Sequence, residues 1–212
     1  MQKPTVLIAD DHTMIVDAFR KLLETQYEII ASVSDGRALL EKAPELRPDV
    51  IIIDIGMPFL NGLAAGQRLR QAIPKAKIVY VTMNDDADLA SEALRTGASA
   101  YLLKSSAGSE LLKAIHEALC GRKYVTPLIK HAMEEAFIRY PGPKTPIKKL
   151  TPRQVEVLQL LAEGRLMKEV ADILGLTPRT VAFHKYRIME TLGIHSNAEL
   201  IKFAVKNHLL AS

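Results

Sequence analysis

The chain of 212 residues has one cysteine, no tryptophan and no long run of apolar residues. The single cysteine, Cys120, excludes an internal disulfide and fits a reducing cytoplasm. We expect Cys120, near the end of a predicted helix, to be a small packed apolar residue. No apolar stretch reaches the roughly 18 residues of a membrane-spanning helix, and residues 5–9 are too short for a signal peptide. The composition therefore predicts a soluble globular protein of the cytoplasm.

Charge is distributed unevenly along the chain. Residues 1–143 carry 17 basic and 18 acidic side chains, whereas residues 144–212 carry 11 basic and 6 acidic ones. The first part is therefore nearly neutral, and the second is clearly basic. An excess of positive charge in the last third favours a polyanionic partner such as a nucleic acid.

The first 120 residues alternate between short apolar runs and helical patterns. The runs are TVLIAD (5–10), YEIIASV (27–33), DVIIID (49–54), KIVYVT (77–82) and SAYLLK (99–104). Helical segments separate these runs, and a last one at 109–121 closes the series. Alternating strands and helices predict an α/β domain in which helices cover both faces of a parallel sheet.

The composition changes after this region. YPGPKTPIKK (140–149) contains three prolines, one glycine and three lysines, which is typical of a linker, and 128–138 has the pattern of a short helix. Beyond it the sequence predicts four short helices in a small all-α bundle, with helix-capping residues at their ends. We place the domains at 1–122 and 148–212, with a linker at 123–147.

Polar residues with a shared chemistry follow the predicted strands. Asp10 and Asp11 follow the first strand, and Asp54, Thr82 and Lys104 end the third, fourth and fifth. The carboxyl ends of parallel strands meet at one edge of the sheet, so we expect these side chains to lie together. Neighbouring carboxylates repel each other unless one is protonated or a cation lies among them, and a few carboxylates with room for water suit Mg²⁺.

This set of residues predicts phosphoryl transfer to Asp54. The metal would screen the negative charge, so that Asp54 can act as a nucleophile and form an acyl phosphate. Lys104 and Mg²⁺ would neutralise the oxygens of the phosphoryl group, and Thr82 would donate a hydrogen bond to one of them. Catalysis of this kind depends mainly on positioning and charge.

Residues 4–121 resemble a two-component receiver domain through LIADDH, DIGMPFLNG, YVT and YLLK. The resemblance implies a doubly wound, five-stranded sheet in the flavodoxin-like order 2-1-3-4-5, and a sensor histidine kinase that phosphorylates Asp54. It also implies that Asp11, Asp54 and the backbone carbonyl of Gly56 hold Mg²⁺, while Asp10 supports the metal through a water molecule.

Two further residues are assigned by the same resemblance. Tyr101 falls at the aromatic position whose rotamer follows phosphorylation in receivers. Ser105 follows Lys104 at a position where receivers often have proline, and the family implies a cis peptide bond there.

The basic region contains the spacing of a helix-turn-helix motif. Ala171, Gly175 and Val181 provide a small residue where helices cross, a glycine at the turn and an apolar residue under the second helix. That second helix, 178–192, directs Val181, Ile188, Leu192 and the stem of Lys185 inward. Its outward face carries Arg179, Phe183, Tyr186 and Glu190, with Ala182 and Arg187 at the edges. The outward aromatic side chains are either covered by a neighbouring helix or contact bases in a DNA major groove.

Residues 150–194 resemble the LuxR-type DNA-binding domain. Together with the receiver, the chain is similar to response regulators of the NarL/FixJ class, which implies double-stranded DNA as a partner and a homodimer formed through the helix near 197–207. The base contacts would fall at Ala182, Phe183 and Tyr186. The full set of predicted DNA-binding residues is Lys168, Arg179, Thr180, Ala182, Phe183, Lys185, Tyr186 and Arg187.

The resulting prediction is a regulator of transcription that is not an enzyme, and two alternatives compete with it. An aspartyl-phosphate phosphatase of the haloacid dehalogenase type also begins from an Asp at a strand end, but it needs a second acid where this chain has Gly56. The other alternative is a regulator whose receiver is never phosphorylated and serves only for dimerisation. Labelling by acetyl phosphate, with and without Mg²⁺, separates the three.

Overall fold

The parallel sheet has six strands in the order β2-β1-β3-β4-β5-β6. The structure is a computed structural model that describes residues 2–139 and 150–210, so the linker segment predicted at 140–149 lies outside the described residues. The order of the first five strands confirms the prediction, and β6 was not predicted. The strands are β1 (Thr5–Ala9), β2 (Glu28–Val33), β3 (Val50–Asp54), β4 (Lys77–Thr82), β5 (Ala100–Leu103) and β6 (Tyr124–Val125).

Helices cover both faces of this sheet, as a doubly wound fold requires. Their bounds are α1 (Thr13–Leu23), α2 (Gly36–Leu46), α3 (Gly62–Ala72), α4 (Ala87–Arg95), α5 (Lys104–Leu119) and α6 (Pro127–Arg139). α1 and α5 pack on one face, and α2, α3, α4 and α6 contribute to the core on the other. Every residue of β3 is buried, because β3 lies between two strands and under helices on both sides.

The end of the receiver-like unit differs from the sequence-based expectation at three places. Residues 124–125, placed in the linker, form β6, whereas α6 agrees with the short helix predicted at 128–138. α5 begins at Lys104 rather than near 109, so no loop separates it from β5, and no cis peptide bond occurs at Ser105 or elsewhere in the described ranges. Cys120 is exposed at the C-cap of α5, so its predicted packing is wrong.

The second unit is all-helical, with α7 (Pro152–Ala162), α8 (Met167–Leu174), α9 (Pro178–Leu192) and α10 (Asn197–Lys206). Thr151 forms the predicted capping box with Gln154, and Gly175 adopts a left-handed φ of 63° at the end of α8. None of the helices in the two described ranges is long and apolar enough to cross a lipid bilayer.

Gly62, the first residue of α3, lies directly against β3. A Cβ at this position would meet the Asp54 carbonyl oxygen at 2.0 Å, whereas a Cβ at Gly108 in α5 would meet nothing within 4 Å. We predict that Gly62→Ala lowers the free energy of unfolding by about 1–3 kcal/mol through overpacking. The control Gly108→Ala should raise it by about 0.5–1 kcal/mol, because alanine restricts the unfolded chain. Equal effects in urea denaturation would contradict this close approach.

Candidate functional site

The predicted polar residues meet at the carboxyl edge of the sheet. Asp54 ends β3, Asp10 follows β1, Thr82 ends β4, and each of the three residues is buried. Lys104 reaches the same place from the first turn of α5, with 4% of its side chain exposed. The strand order therefore brings together the groups that the sequence placed at separate strand ends.

The ammonium group of Lys104 lies between two carboxylates. Its Nζ is 2.8 Å from Asp54 Oδ2 and 2.9 Å from Asp10 Oδ2. The other oxygen of Asp54, Oδ1, accepts a hydrogen bond of 3.2 Å from the Gly56 backbone N–H. One cation thus compensates two buried anions, which leaves the pocket short of positive charge.

The balance of these interactions sets the pKa of Asp54 above its ordinary value. Burial is the main cause, because it disfavours the charged carboxylate. The hydrogen bond and charge of Lys104 act in the opposite direction, repulsion from Asp10 raises the pKa further, and the Gly56 hydrogen bond lowers it. The pocket therefore favours a neutralised Asp54 more than water does.

The acidic residues fit a divalent cation. Asp10, Asp11, His12 and Asp54 each offer a ligand atom, and these atoms lie within 4.8 Å of one another. Asp11 Oδ1 is buried and accepts no hydrogen bond from the described residues, which is costly for a carboxylate oxygen unless a cation contacts it. Carboxylate oxygens are ligands that Mg²⁺ accepts. His12 was not predicted as a site residue, although it directly follows the acid pair in the sequence.

Thr82 and Tyr101 meet through a residue that the sequence did not single out. The Thr82 hydroxyl oxygen accepts a hydrogen bond of 3.2 Å from the Asn84 N–H, and the buried Tyr101 hydroxyl donates one of 3.1 Å to the Asn84 carbonyl. The two predicted switch residues therefore bind the backbone of the same residue after β4, Thr82 through the N–H of Asn84 and Tyr101 through its carbonyl. A movement of Thr82 toward Asp54 would alter the position of Asn84 and so the partner of Tyr101.

The outward face of α9 is open. Phe183 and Tyr186 are 60% and 66% exposed, so no helix in the described part of the chain covers them, whereas Val181 and Ile188 on the opposite face are buried. Among the other predicted DNA-binding residues, the structure exposes Lys168, Arg179, Ala182 and Arg187 and leaves Thr180 and Lys185 half-buried. Arg187 pairs with Glu190 on the same helix, Nη1 to Oε2, at 2.6 Å.

α7 of the second unit contacts the loop that follows Asp54. The buried side chain of Gln159 accepts a hydrogen bond of 2.8 Å from the Asn61 N–H and donates one of 3.0 Å to the Met57 carbonyl. Glu163 Oε1 accepts a third, 3.1 Å long, from the Phe59 N–H. We call this set of three hydrogen bonds the α7 latch.

Phe59, at the centre of the loop, has an unusual backbone. Its φ of 63° lies in the left-handed region, which costs a residue with a Cβ roughly 1–2 kcal/mol. The guanidinium of Arg165 lies over its ring at 5.1 Å. The two units also meet at an ion pair between Arg68 and Glu156 and at a contact of 3.3 Å between His208 Nε2 and Asp86 Oδ2. None of these partners could be paired from the sequence alone.

Two family models match the chain. The model described as response regulator receiver domain matches residues 6–116, and the model described as bacterial regulatory proteins, luxR family, matches residues 148–204. The fold and the acidic pocket thus define a receiver followed by a helix-turn-helix unit. The chain belongs to the two-component response regulators that carry a LuxR-type DNA-binding domain.

Several response regulators are similar to this chain over nearly its full length. Oxygen regulatory protein NreC of Staphylococcus aureus strain JH9 is 35% identical over 213 residues, covering 97% of this chain and 98% of NreC. The RcsB response regulator of Salmonella typhimurium has a TM-score of 0.67 and 27% identity, covering 97% of this chain and 98% of RcsB. RcsB bound to promoter P1flhDC in the presence of the phosphomimetic BeF3⁻ has a TM-score of 0.63 and 28% identity, covering 98% of each chain.

The raised pKa of Asp54 has a consequence for stability. The folded protein binds more protons than the unfolded chain between the two pKa values, so the free energy of unfolding falls as pH rises through that interval and stays low above it. We predict that Asp54→Asn, which lacks this penalty, raises the melting temperature at pH 7.5. The gain should shrink as the pH approaches the ordinary pKa of Asp.

The matched control is Asp17→Asn on α1, whose side chain is exposed. It should leave the melting temperature nearly unchanged over the same pH range. A lower melting temperature for Asp54→Asn at every pH would show that the pairing of Asp54 with Lys104 outweighs its burial.

Proposed function

We propose that a sensor histidine kinase phosphorylates Asp54, and that the phosphorylated chain binds specific DNA as a homodimer to regulate transcription. The observation that carries the first part is the pocket itself. Asp54 is a buried carboxylate that favours neutralisation, and it lies beside the ammonium group of Lys104. Asp11 Oδ1, in the same pocket, is buried and accepts no hydrogen bond from any described residue. Such a pocket is suited to receive a phosphoryl group together with a cation.

The residues of the pocket have separate roles in this transfer. One oxygen of Asp54 forms a bond to phosphorus as the bond from phosphorus to the donor nitrogen breaks. Lys104 keeps its charge beside the transferred oxygens, and the Thr82 hydroxyl donates a hydrogen bond to one of them. Asp11, Asp54 and the Gly56 carbonyl would hold Mg²⁺ with support from Asp10, and the ion would supply positive charge against the phosphoryl oxygens.

Acetyl phosphate labelling tests the assignment of Asp54. We expect the wild-type chain to gain one phosphoryl group, detected by intact mass, only when Mg²⁺ is present. Asp54→Asn should gain none, because the amide is not a nucleophile, whereas Asp17→Asn should label as the wild type does. Labelling that survives in Asp54→Asn would move the phosphorylation site elsewhere, and an unlabelled wild type would favour a receiver used only for dimerisation.

We also propose that the α7 latch carries the signal from Asp54 to the DNA-binding unit. The loop that the latch holds follows the phosphoacceptor directly, and three of its backbone groups are bonded to the side chains of Gln159 and Glu163. The latch leaves the aromatic face of α9 exposed. The latch holds the DNA-binding unit, and with it α9, in one orientation relative to the receiver. Release of the latch would let two copies of α9 reach the two half-sites of one DNA.

Gln159→Ala tests the α7 latch. It removes two of the three hydrogen bonds and leaves the Met57 carbonyl and the Asn61 N–H unpaired, unless the units separate and water reaches them. At about 1 kcal/mol per bond, the released population should rise by up to about thirtyfold. We expect a larger radius of gyration in X-ray scattering and tighter binding of DNA by the unphosphorylated protein.

The control for the latch is Gln71→Ala, the same substitution at an exposed position in α3. It should match the wild type in both measurements. If Gln159→Ala keeps the wild-type radius of gyration and DNA affinity, the latch does not restrain the DNA-binding unit.

The proposed DNA contact is the exposed face of α9. Phe183, Tyr186 and Ala182 are suited to base edges and thymine methyl groups, while Arg179, Lys185, Arg187, Thr180 and Lys168 are suited to phosphates and guanine edges. A single short helix offers little contact, so two copies in a dimer would read two half-sites. Ile201 and Val205, exposed on α10, supply apolar surface for that dimer, and structures of RcsB dimers bound to DNA support it. Binding to chromosomal DNA implies a cytoplasmic location.

Substitutions on α9 should separate the two kinds of DNA contact. Phe183→Ala and Tyr186→Ala should cost roughly 1–3 kcal/mol at the specific site and little on random DNA, because they remove base contacts. Arg187→Ala should weaken binding to both DNAs and reduce the salt slope by about one, because it removes a phosphate contact. The measurement is binding at several salt concentrations on both DNAs. Equal losses for all three variants on both DNAs would mean that this face does not read sequence.

A further inference from the structure

A cavity of about 210 Å³ lies between the receiver and the DNA-binding unit. The receiver contributes residues of α3 and α4 to its wall, among them Leu63, Ala64 and Leu89, and the second unit contributes residues around the start of α7 and the end of α10. Exposed Lys206 belongs to the same wall, so the cavity opens to solvent on one side. Neither the phosphoryl transfer nor the α7 latch gives this space a role.

Apolar side chains form most of the wall. Leu63 and Leu89 come from the receiver, and Leu150, Val155 and Leu209 come from the second unit. An apolar cavity of about 150 Å³ in another protein holds benzene, so by proportion this one has room for roughly eight to ten non-hydrogen atoms. The space therefore suits a single ring with a short substituent, and it is too small for a nucleotide or a folded peptide segment.

Four titratable side chains border the cavity, and three of them already have partners. Asp86 Oδ1 accepts hydrogen bonds from two backbone N–H groups at the start of α4, and its Oδ2 contacts His208. Glu92 pairs with Arg95 at 3.7 Å. Lys206 makes no ion pair with a side chain in either described range, and its long stem lets the ammonium reach the mouth of the cavity. The charge that this cavity leaves without a partner is thus positive.

We propose that this cavity binds a small apolar monocarboxylate, the class to which benzoate belongs, with its apolar body between the two units and its carboxylate at Lys206. Because both units form the wall, a bound ligand stabilises the arrangement in which they meet. Under the proposed function, such a ligand would oppose release of the α7 latch and so weaken DNA binding. Binding of the ligand itself requires neither phosphorylation nor DNA.

Calorimetric titration of the unphosphorylated full-length protein tests the charge of the ligand. Benzoate is the probe, and benzamide is a neutral control of nearly the same shape. Benzoate should bind saturably at one site in each chain, about three- to fivefold more tightly than benzamide, because its carboxylate pairs with a solvent-exposed ammonium. Lys206→Met keeps an apolar stem and removes the charge, so it should make the two affinities equal. The control Lys202→Met, at an exposed position one turn earlier on α10, should keep the preference for benzoate.

Ala64→Leu tests the receiver side of the cavity. The longer side chain occupies the space, so both probes should lose saturable binding, whereas Ala72→Leu, at an exposed position of the same helix, should bind them as the wild type does. Absence of saturable benzoate binding by the wild type, or unchanged binding by Ala64→Leu, would overturn the proposal. Equal affinities of the wild type for benzoate and benzamide would overturn the assignment of a carboxylate. Labelling of Asp54 is scored separately, so a failure of benzoate to bind leaves the proposed function standing, and benzoate binding by a protein that cannot be labelled still supports the cavity.

Discussion

The rest of the structure depends on one buried ammonium group shared by two buried carboxylates. Lys104 contacts Asp10 and Asp54 at the carboxyl edge of a parallel sheet, where three separate segments of the chain must meet. Removing such groups from water costs several kcal/mol for each ion unless they are paired. Because one cation serves two anions, their negative charge is only partly compensated. Together with burial, the remaining repulsion from Asp10 raises the pKa of Asp54. The charge that the fold leaves unbalanced would accommodate the second cation and the phosphoryl group of the proposed function.

The same edge of the sheet connects the chemistry to the second unit. The loop after β3 leaves the sheet at Asp54, so its backbone groups cannot be satisfied by neighbouring strands and need other partners. Gln159 and Glu163 of α7 provide those partners. The contact is polar and directed at the backbone, so it depends on the conformation of the loop more than on its sequence. In the proposed function, phosphorylation of Asp54 would therefore alter the contacts of α7 by changing the loop, without any movement of the sheet.

The sequence allowed the pocket to be predicted because a parallel sheet brings its strand ends to one edge. The order of the strands alone is enough to place four of the predicted residues side by side: Asp10, Asp54, Thr82 and Lys104. The two-residue strand β6 could not be predicted, because two residues show no alternation and its pairing with β5 decides its structure.

The contacts between the two units could not be predicted from the sequence either. In the sequence, Gln159 has the pattern of an ordinary polar residue of an amphipathic helix. Its burial depends on contact with the loop after β3, about a hundred positions earlier in the chain. The start of α5 was missed for a local reason. Ser105 and Ser106 carry no apolar signal, so the helical pattern could be recognised only from residue 109, whereas α5 begins at Lys104.

The interface at the latch is close to energetic balance. Its three hydrogen bonds to the loop contribute about 1 kcal/mol each at most, and the cation–π contact of Arg165 with Phe59 adds about 0.5–1 kcal/mol. The left-handed backbone of Phe59 opposes them, and so do the buried atoms Glu163 Oε2 and Arg165 Nε, which have no hydrogen-bond partner among residues 2–139 and 150–210. Burial also raises the pKa of Glu163. These terms are of similar size and opposite sign, so the three hydrogen bonds contribute little net stability to the latched state. We therefore propose that a charge added at Asp54 releases the α7 latch by changing a single loop bond.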